Sequence, residues 1–227
     1  MQAVILAAGH GTRLRPLTDE VPKALVHVLD KPLIEYALDV LVERVTAFII
    51  VTGYRGEMIR AHLGERYHGI PITYVEQSER LGTAHALSLC EEHIRGDFIL
   101  MYADEMVDPG AIEALAQVPA GLIGFERPDP QHFGVIVHDN DMNLVNLEEK
   151  PEEPKNNLVS AAGLKLTPAI FAYYPPKERN GEYYLADMIP SYLKEQPMQV
   201  IIAREYLTVN RPEDITAAEA TLARHRR

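Results

Sequence analysis

Gly9, Gly11, Arg13 and Lys23 are the residues of this chain whose types and spacing point most directly to chemistry. They follow an apolar, β-leaning run, Ala3-Val4-Ile5-Leu6-Ala7-Ala8. A buried strand that ends in a glycine-rich turn offers several backbone N–H groups to an anion, because glycine lets the backbone approach with no Cβ in the way. Arg13 and Lys23 add formal positive charge in the same loop. The guest that suits such a loop is a polyphosphate.

The residues after the turn exclude other phosphate and catalytic motifs. A dinucleotide fingerprint needs a third glycine, and position 14 is Leu14. No Gly-Lys-Ser/Thr completes a Walker A loop. The histidines lack zinc spacing, and no Gly-x-Ser-x-Gly elbow is present. His85 reads as a packed or hydrogen-bonded helix residue, and the pairs Tyr173-Tyr174 and Tyr183-Tyr184 as cover for the core.

The elements that must position these groups alternate in type. Residues 47–52 and 71–75 form short apolar strands, with helical patterns at 32–41 and 55–63 between the glycine turn and the third strand. Strand–helix–strand–helix–strand implies a parallel sheet. A helix over 83–92 and a strand over 98–102 come next, the strand ending on Ala103-Asp104-Glu105. Ligands in open α/β sheets gather beyond the carboxyl ends of the strands, where both the glycine turn and Asp104 fall. After Pro128 the pattern becomes a hairpin (134–138 and 144–147), an exposed loop at 152–157, a strand over 160–166, a helix around 185–195, a strand at 198–203 and a last helix opened by Pro212.

With 227 residues, 47% hydrophobic and 24% charged, the composition is that of an ordinary globular protein. The single cysteine, Cys90, excludes an internal disulfide and fits a reducing compartment. No signal-peptide core or membrane-length apolar run is present, so a cytoplasmic protein with no membrane partner is expected. A formal net charge of −11 argues against a nucleic-acid partner. It also requires any phosphate site to be locally cationic, from clustered Arg and Lys together with a divalent metal held by acidic residues.

The longer string Leu6-Ala7-Ala8-Gly9-x-Gly11-Thr12-Arg13-Leu14-x-Pro16-Leu17-Thr18, then Pro22-Lys23-x-Leu25-Val26, resembles the signature of the sugar-1-phosphate nucleotidylyltransferases. The resemblance recurs along nearly the whole chain. It implies an α/β fold, Rossmann-like, with three αβα layers, a mostly parallel mixed sheet and a sugar-binding β-hairpin region. It also implies one catalytic domain, with a nucleotide-binding half over about 1–125 and a sugar-binding half over about 126–227. Gln77-x-x-x-Leu81-Gly82-Thr83-Ala84-His85-Ala86-Leu87 resembles the base-recognition segment, so Gln77 and the Gly82 backbone would read a pyrimidine edge. Leu6, Ala7, Ala8, Gly9, Gly11, Thr12 and Thr83 would complete the nucleotide site, with Arg13 and Lys23 catalytic.

By the same resemblance Asp104 and Asn210 would hold Mg²⁺, although the family usually has Gly where Ala103 stands. Phe133-Gly134-Val135 and Glu148-Glu149-Lys150-Pro151 match sugar-side segments. Gly134 would approach the sugar, Glu149 would hold its hydroxyls and Lys150 its phosphate, while Ala162 lies on the strand lining the pocket. Gly181-Glu182-Tyr183-Tyr184-Leu185-Ala186-Asp187 matches a segment with a structural role. The implied reaction joins UTP or dTTP to a sugar 1-phosphate and releases pyrophosphate. Two alternatives stay open: a cytidylyltransferase acting on an alcohol phosphate such as phosphocholine, and a non-catalytic nucleotide-sugar-binding subunit. Neither the sugar nor the oligomeric state is readable.

Overall fold

The computed structural model describes residues 1–175 and 181–225, with the side chains of all of these except residues 162 and 225. The first part of the chain is β1 (Gln2–Ala7), α1 (Leu33–Asp39), β2 (Ala47–Thr52), α2 (Gly56–Leu63), β3 (Ile70–Glu76), α3 (Thr83–Ser88) and β4 (Phe98–Tyr102). It continues through β5 (Glu105–Val107), α4 (Pro109–Gln117) and β6 (Gly121–Glu126). The second part is β7 (Gly134–His138), β8 (Leu144–Glu149), β9 (Leu158–Leu166), α5 (Ile189–Tyr192), β10 (Gln199–Ile202), β11 (Tyr206–Thr208) and α6 (Pro212–His225).

The main sheet runs β8–β7–β9–β4–β1–β2–β3. β1 lies between β4 and β2, parallel to both, and β2 is parallel to β3. Parallel strands buried on both faces need apolar side chains at every position, and the β1 run supplies them. Ala3, Ile5 and Ala7 face one core together with Leu38, Ile59 and Ile112, which belong to α1, α2 and α4. Val4, Leu6 and Ala8 face the other with Leu87, Leu185 and Ile189. The alternation along a single strand thus builds the expected three layers.

β9 joins the two parts of the sheet. One of its edges is shared by β7, at Val159, and β4, at residues 164–166. Its other edge carries β6, with a register shift between Ala161 and Leu164. β10 then pairs with β6 in parallel. A third, smaller core of Leu14, Val26, Val28, Leu33, Met106, Val209 and Ala218 pins α6 beneath the end of the glycine turn.

Several elements differ from expectation. The helix expected over 83–92 ends at Ser88, and a separate 3₁₀ turn covers Glu91–His93. The helix expected over 185–195 is a 3₁₀ turn at Leu185–Asp187 followed by the single α turn of α5. Pro190 has no N–H to donate to residue 186, so one continuous ladder cannot run through. The unit β5–α4–β6 has no counterpart among the expected elements. Its helix carries a clear start signal, since the Asp108 carboxylate accepts from Ala111 N at 3.1 Å and Pro109 occupies the first turn. Cys90 is fully buried and its thiol is pushed up to about 12 by that burial, which marks it as core. Among the described residues no helix is long and apolar enough to cross a membrane.

Candidate active site

β1 delivers the glycine turn at the carboxyl edge of the sheet. Gly11 sits at φ +63°, and a Cβ there would lie 2.9 Å from Lys23 Cβ. Its carbonyl accepts from Leu14 N at 2.9 Å and from the Thr18 hydroxyl at 2.7 Å, which closes the turn. Gly9 is different: a Cβ there would meet no protein atom within 4 Å. The space beside Gly9 belongs to a cavity of about 390 Å³.

That cavity collects the expected nucleotide-site residues. Leu6, Ala7, Ala8, Gly9, Gly11 and Thr12 line it together with Arg13, Lys23, Gln77, Gly82 and Thr83. Gln77 is buried, and its Nε2 donates to Gly82 O at 3.0 Å and lies 3.1 Å from His85 Nδ1. His85 is therefore a hydrogen-bonded helix residue, as its pattern suggests. Gly82 adopts φ +97°, with the position of an absent Cβ only 2.4 Å from Tyr183 O. Here glycine is required because another backbone strand of the chain docks on it: Ala84 N donates to Tyr183 O, Tyr183 N to Leu81 O, and Leu185 N to Thr83 Oγ1.

A second cavity, of about 430 Å³, contains Gly134, Glu149 and Lys150. Gly134 pairs with Glu149 across the β7–β8 hairpin, and a Cβ on Gly134 would come 3.3 Å from Glu149 Oε2. Lys150 Nζ lies 3.2 Å from Glu149 Oε1 and 5.7 Å from the centre of the Tyr184 ring. Ala162 is part of β9, but its side chain falls outside what the structure describes.

The two cavities meet. Arg13, Thr83, Tyr102, Asp104 and Asn210 line both of them. Lys23 Nζ donates to Asp104 Oδ2 and, at 3.0 Å, to Asn210 Oδ1. Arg13 reaches the same Asn210 oxygen at 3.2 Å. Asn210 Nδ2 donates to Thr208 Oγ1 at 2.9 Å, which turns the amide oxygen toward the cations. Asn210 N donates in turn to Asp214 Oδ2 at 2.7 Å, in the first turn of α6. Among the described residues no group of three His, Cys, Asp or Glu could hold a metal. Asp104 and Asn210 instead present one carboxylate and one amide oxygen to a single ammonium, so the two oxygens converge on one cation.

Electrostatics at this junction arise from burial. The Tyr102 phenol is raised above its ordinary range, first by burial and then by Glu105 and Glu149, so it stays protonated between the cavities. His10, on the glycine turn, is lowered by burial, then by Arg80 and Arg15, which favours the neutral imidazole.

Sequence reasoning missed several lining groups, among them three that bear charge or an aromatic ring. Arg80 and Glu182 line the first cavity and Tyr184 the second. Tyr184 was expected to cover the core, and segment 181–187 to be only structural; this segment instead forms part of the wall of both cavities. The available signal was Gly82 itself, whose need for glycine arises from the docking of Tyr183.

The fold and this paired site are those of a nucleotidyltransferase. A family model for nucleotidyl transferases matches residues 2–208, and the chain belongs to that family. It is 36% identical over 234 residues to the UTP–glucose-1-phosphate uridylyltransferase AglF of Haloferax volcanii, covering 98% of this chain and 96% of that protein. It is 33% identical over 230 residues to the bifunctional protein GlmU of Methanococcus aeolicus, where it spans 99% of its own length and 55% of the relative. A crystal structure of UDP-glucose pyrophosphorylase complexed with UDP-glucose superposes with a TM-score of 0.88 at 22% identity, over 99% of this chain and 98% of that one, which shows the shared fold.

Proposed function

We propose that this chain joins a pyrimidine nucleoside triphosphate, UTP or dTTP, to a sugar 1-phosphate, giving a nucleotide sugar and pyrophosphate. The observation that carries this reading is the junction of a glycine-turn cavity with a carboxylate-bearing one at Arg13, Asp104 and Asn210. The activity named for the Haloferax volcanii relative agrees with it.

In the proposed reaction an oxygen of the sugar phosphate attacks the α-phosphorus in line. The new O–Pα bond forms as the bond from Pα to the bridging oxygen of pyrophosphate breaks. The nucleophile is already an anion, so no general base is needed, and the obstacle is repulsion between two phosphate esters. Gln77 and the Gly82 backbone hold the base. Arg13 and the N–H groups at Gly9 and Gly11 take up charge on the departing pyrophosphate, and Lys23 clamps phosphate oxygens. Glu149 accepts hydrogen bonds from the sugar hydroxyls, Lys150 binds the sugar phosphate, and the strand around Ala162 lines the sugar. This is catalysis by positioning and charge.

Asp104 and Asn210 fit Mg²⁺, a hard cation that takes oxygen ligands and leaves much of its shell to phosphate and water. When bound it would offset charge shared between the two phosphates. A cytoplasmic setting suits the free buried thiol of Cys90.

A pairwise screen of UTP, dTTP and CTP against several sugar 1-phosphates and phosphocholine, read by pyrophosphate release, tests the proposal. Turnover with UTP or dTTP and a sugar 1-phosphate is expected. Preference for CTP with phosphocholine, or nucleotide-sugar binding with no pyrophosphate released from any pair, would overturn it.

A further inference from the structure

The two oxygens assigned above to Mg²⁺ already serve a cation of the chain itself. Lys23 Nζ is bonded to Asp104 Oδ2 and lies 3.0 Å from Asn210 Oδ1. The side chains of Lys23 and Asp104 are only 14% and 23% exposed, so this pair is shielded from solvent in a way that surface ion pairs are not. We propose that Lys23 is an internal stand-in for the divalent cation. Its ammonium holds the seat at Asp104 and Asn210 in the nucleotide-free protein and keeps the metal out. The metal is admitted only when phosphate draws the ammonium away. This rests on the metal reading of Asp104 and Asn210.

A carboxylate oxygen that accepts from an ammonium cannot offer the same lone pair to a metal, and a divalent ion arriving beside Lys23 and Arg13, which both already reach Asn210 Oδ1, would be repelled strongly where water is scarce. Leaving Asp104 without any cation would strand a partly buried charge, so one occupant or the other is required at all times. Finally, the base of the lysine stem lies against the glycine turn: the position of an absent Cβ on Gly11 is 2.9 Å from Lys23 Cβ and 3.3 Å from Lys23 Cγ. A phosphate cradled by the turn therefore arrives beside that stem, whose four flexible carbons let the ammonium change partners. Nucleotide and metal are coupled through one swinging side chain, and such coupling acts equally in both directions.

The test is Mn²⁺ binding followed by electron paramagnetic resonance on the nucleotide-free protein, for wild type, Lys23→Met, and Lys23→Met combined with Asp104→Ala. Lys23→Met is expected to bind Mn²⁺ at least about tenfold more tightly than wild type. Adding Asp104→Ala is expected to remove that gain. Lys23→Ala, which asks no new side chain to pack, serves as a second variant with the same expected order, and thermal unfolding verifies that each protein is folded. Equal affinities in wild type and both Lys23 variants, with binding still lost on Asp104→Ala, overturn the competition and leave the metal reading standing. A gain that survives Asp104→Ala, or no bound Mn²⁺ in any of the proteins, overturns both.

Discussion

The two cavities are similar in size and share a wall, yet they are built from different materials. The first cavity lies at the ends of parallel strands, with Gly9, Gly11 and Gly82 leaving room for a ligand or for another stretch of chain. Its cations are Arg13, Lys23 and Arg80, set beside the carboxylates of Asp104 and Glu182. The other cavity takes much of its lining from the antiparallel strands β7, β8 and β9, including Glu149 and Ser160, with Lys150 and Tyr184 added from outside them. A polyphosphate has the same charged groups whatever its base, so main-chain N–H groups and cations suffice for it. Sugars differ from one another in the direction of their hydroxyls and in their substituents, which calls for individually placed partners. The difference teaches that the first cavity is suited to holding phosphate charge, with selection left to single side chains such as Gln77, whereas the second is suited to selection along its whole lining.

That contrast can be broken most sharply at the junction. Arg13→Ala and Asp104→Ala are each expected to lower kcat/KM by at least about 10²–10³ for both substrates. A loss confined to one substrate, measured by steady-state pyrophosphate release, would show that the cavities act separately. Next in size, Glu149→Gln is expected to raise KM for the sugar 1-phosphate by about 10–100-fold with little change for the nucleotide. Gln77→Ala is expected to do the reverse, narrowing the preference between nucleoside triphosphates and leaving the sugar KM near wild type. A Glu149→Gln protein whose nucleotide KM rises in parallel would remove the division.

Smaller effects test the wall between the cavities. Gly82→Ala puts a methyl group 2.4 Å from Tyr183 O at φ +97°. It is expected to cost at least about 1 kcal/mol in urea unfolding and to weaken binding of both substrates. Val145→Thr, on the exposed face of β8, is expected to shift stability by no more than about 0.5 kcal/mol and to leave both KM values unchanged.

Much of the parallel part was legible because its physics is local. The run at 3–8 reads as a strand buried on both faces, and 47–52 likewise, since a doubly buried strand is almost wholly apolar and in 47–52 only the last residue, Thr52, is polar. The glycine turn was legible because its shape depends on residues adjacent in the chain. The expected site residues with described side chains all line one cavity or the other, Ala162 alone being outside that description. What could not be read depends on distant partners. Lys23 meets Asp104 across 81 positions and Asn210 across 187. Tyr184 reads as an ordinary aromatic until residues 182–185 are seen lying along the loop at Gly82. The β5–α4–β6 unit was overlooked despite the Asp108-Pro109 start signal, because its short strands carry little pattern of their own. The helices near 88 and 190 came out shorter because periodicity registers a face to be buried and is blind to where the ladder stops.

β9 has a mechanical consequence. Ser160, near its start, lines the second cavity, and Leu164 bonds to the strand that ends just before Asp104. The register shift between Ala161 and Leu164 falls between these two points, so the ribbon is kinked there. The spacing of the two cavities is thus set where the ladder changes step, and one residue inserted or removed at that step would slide one wall past the other.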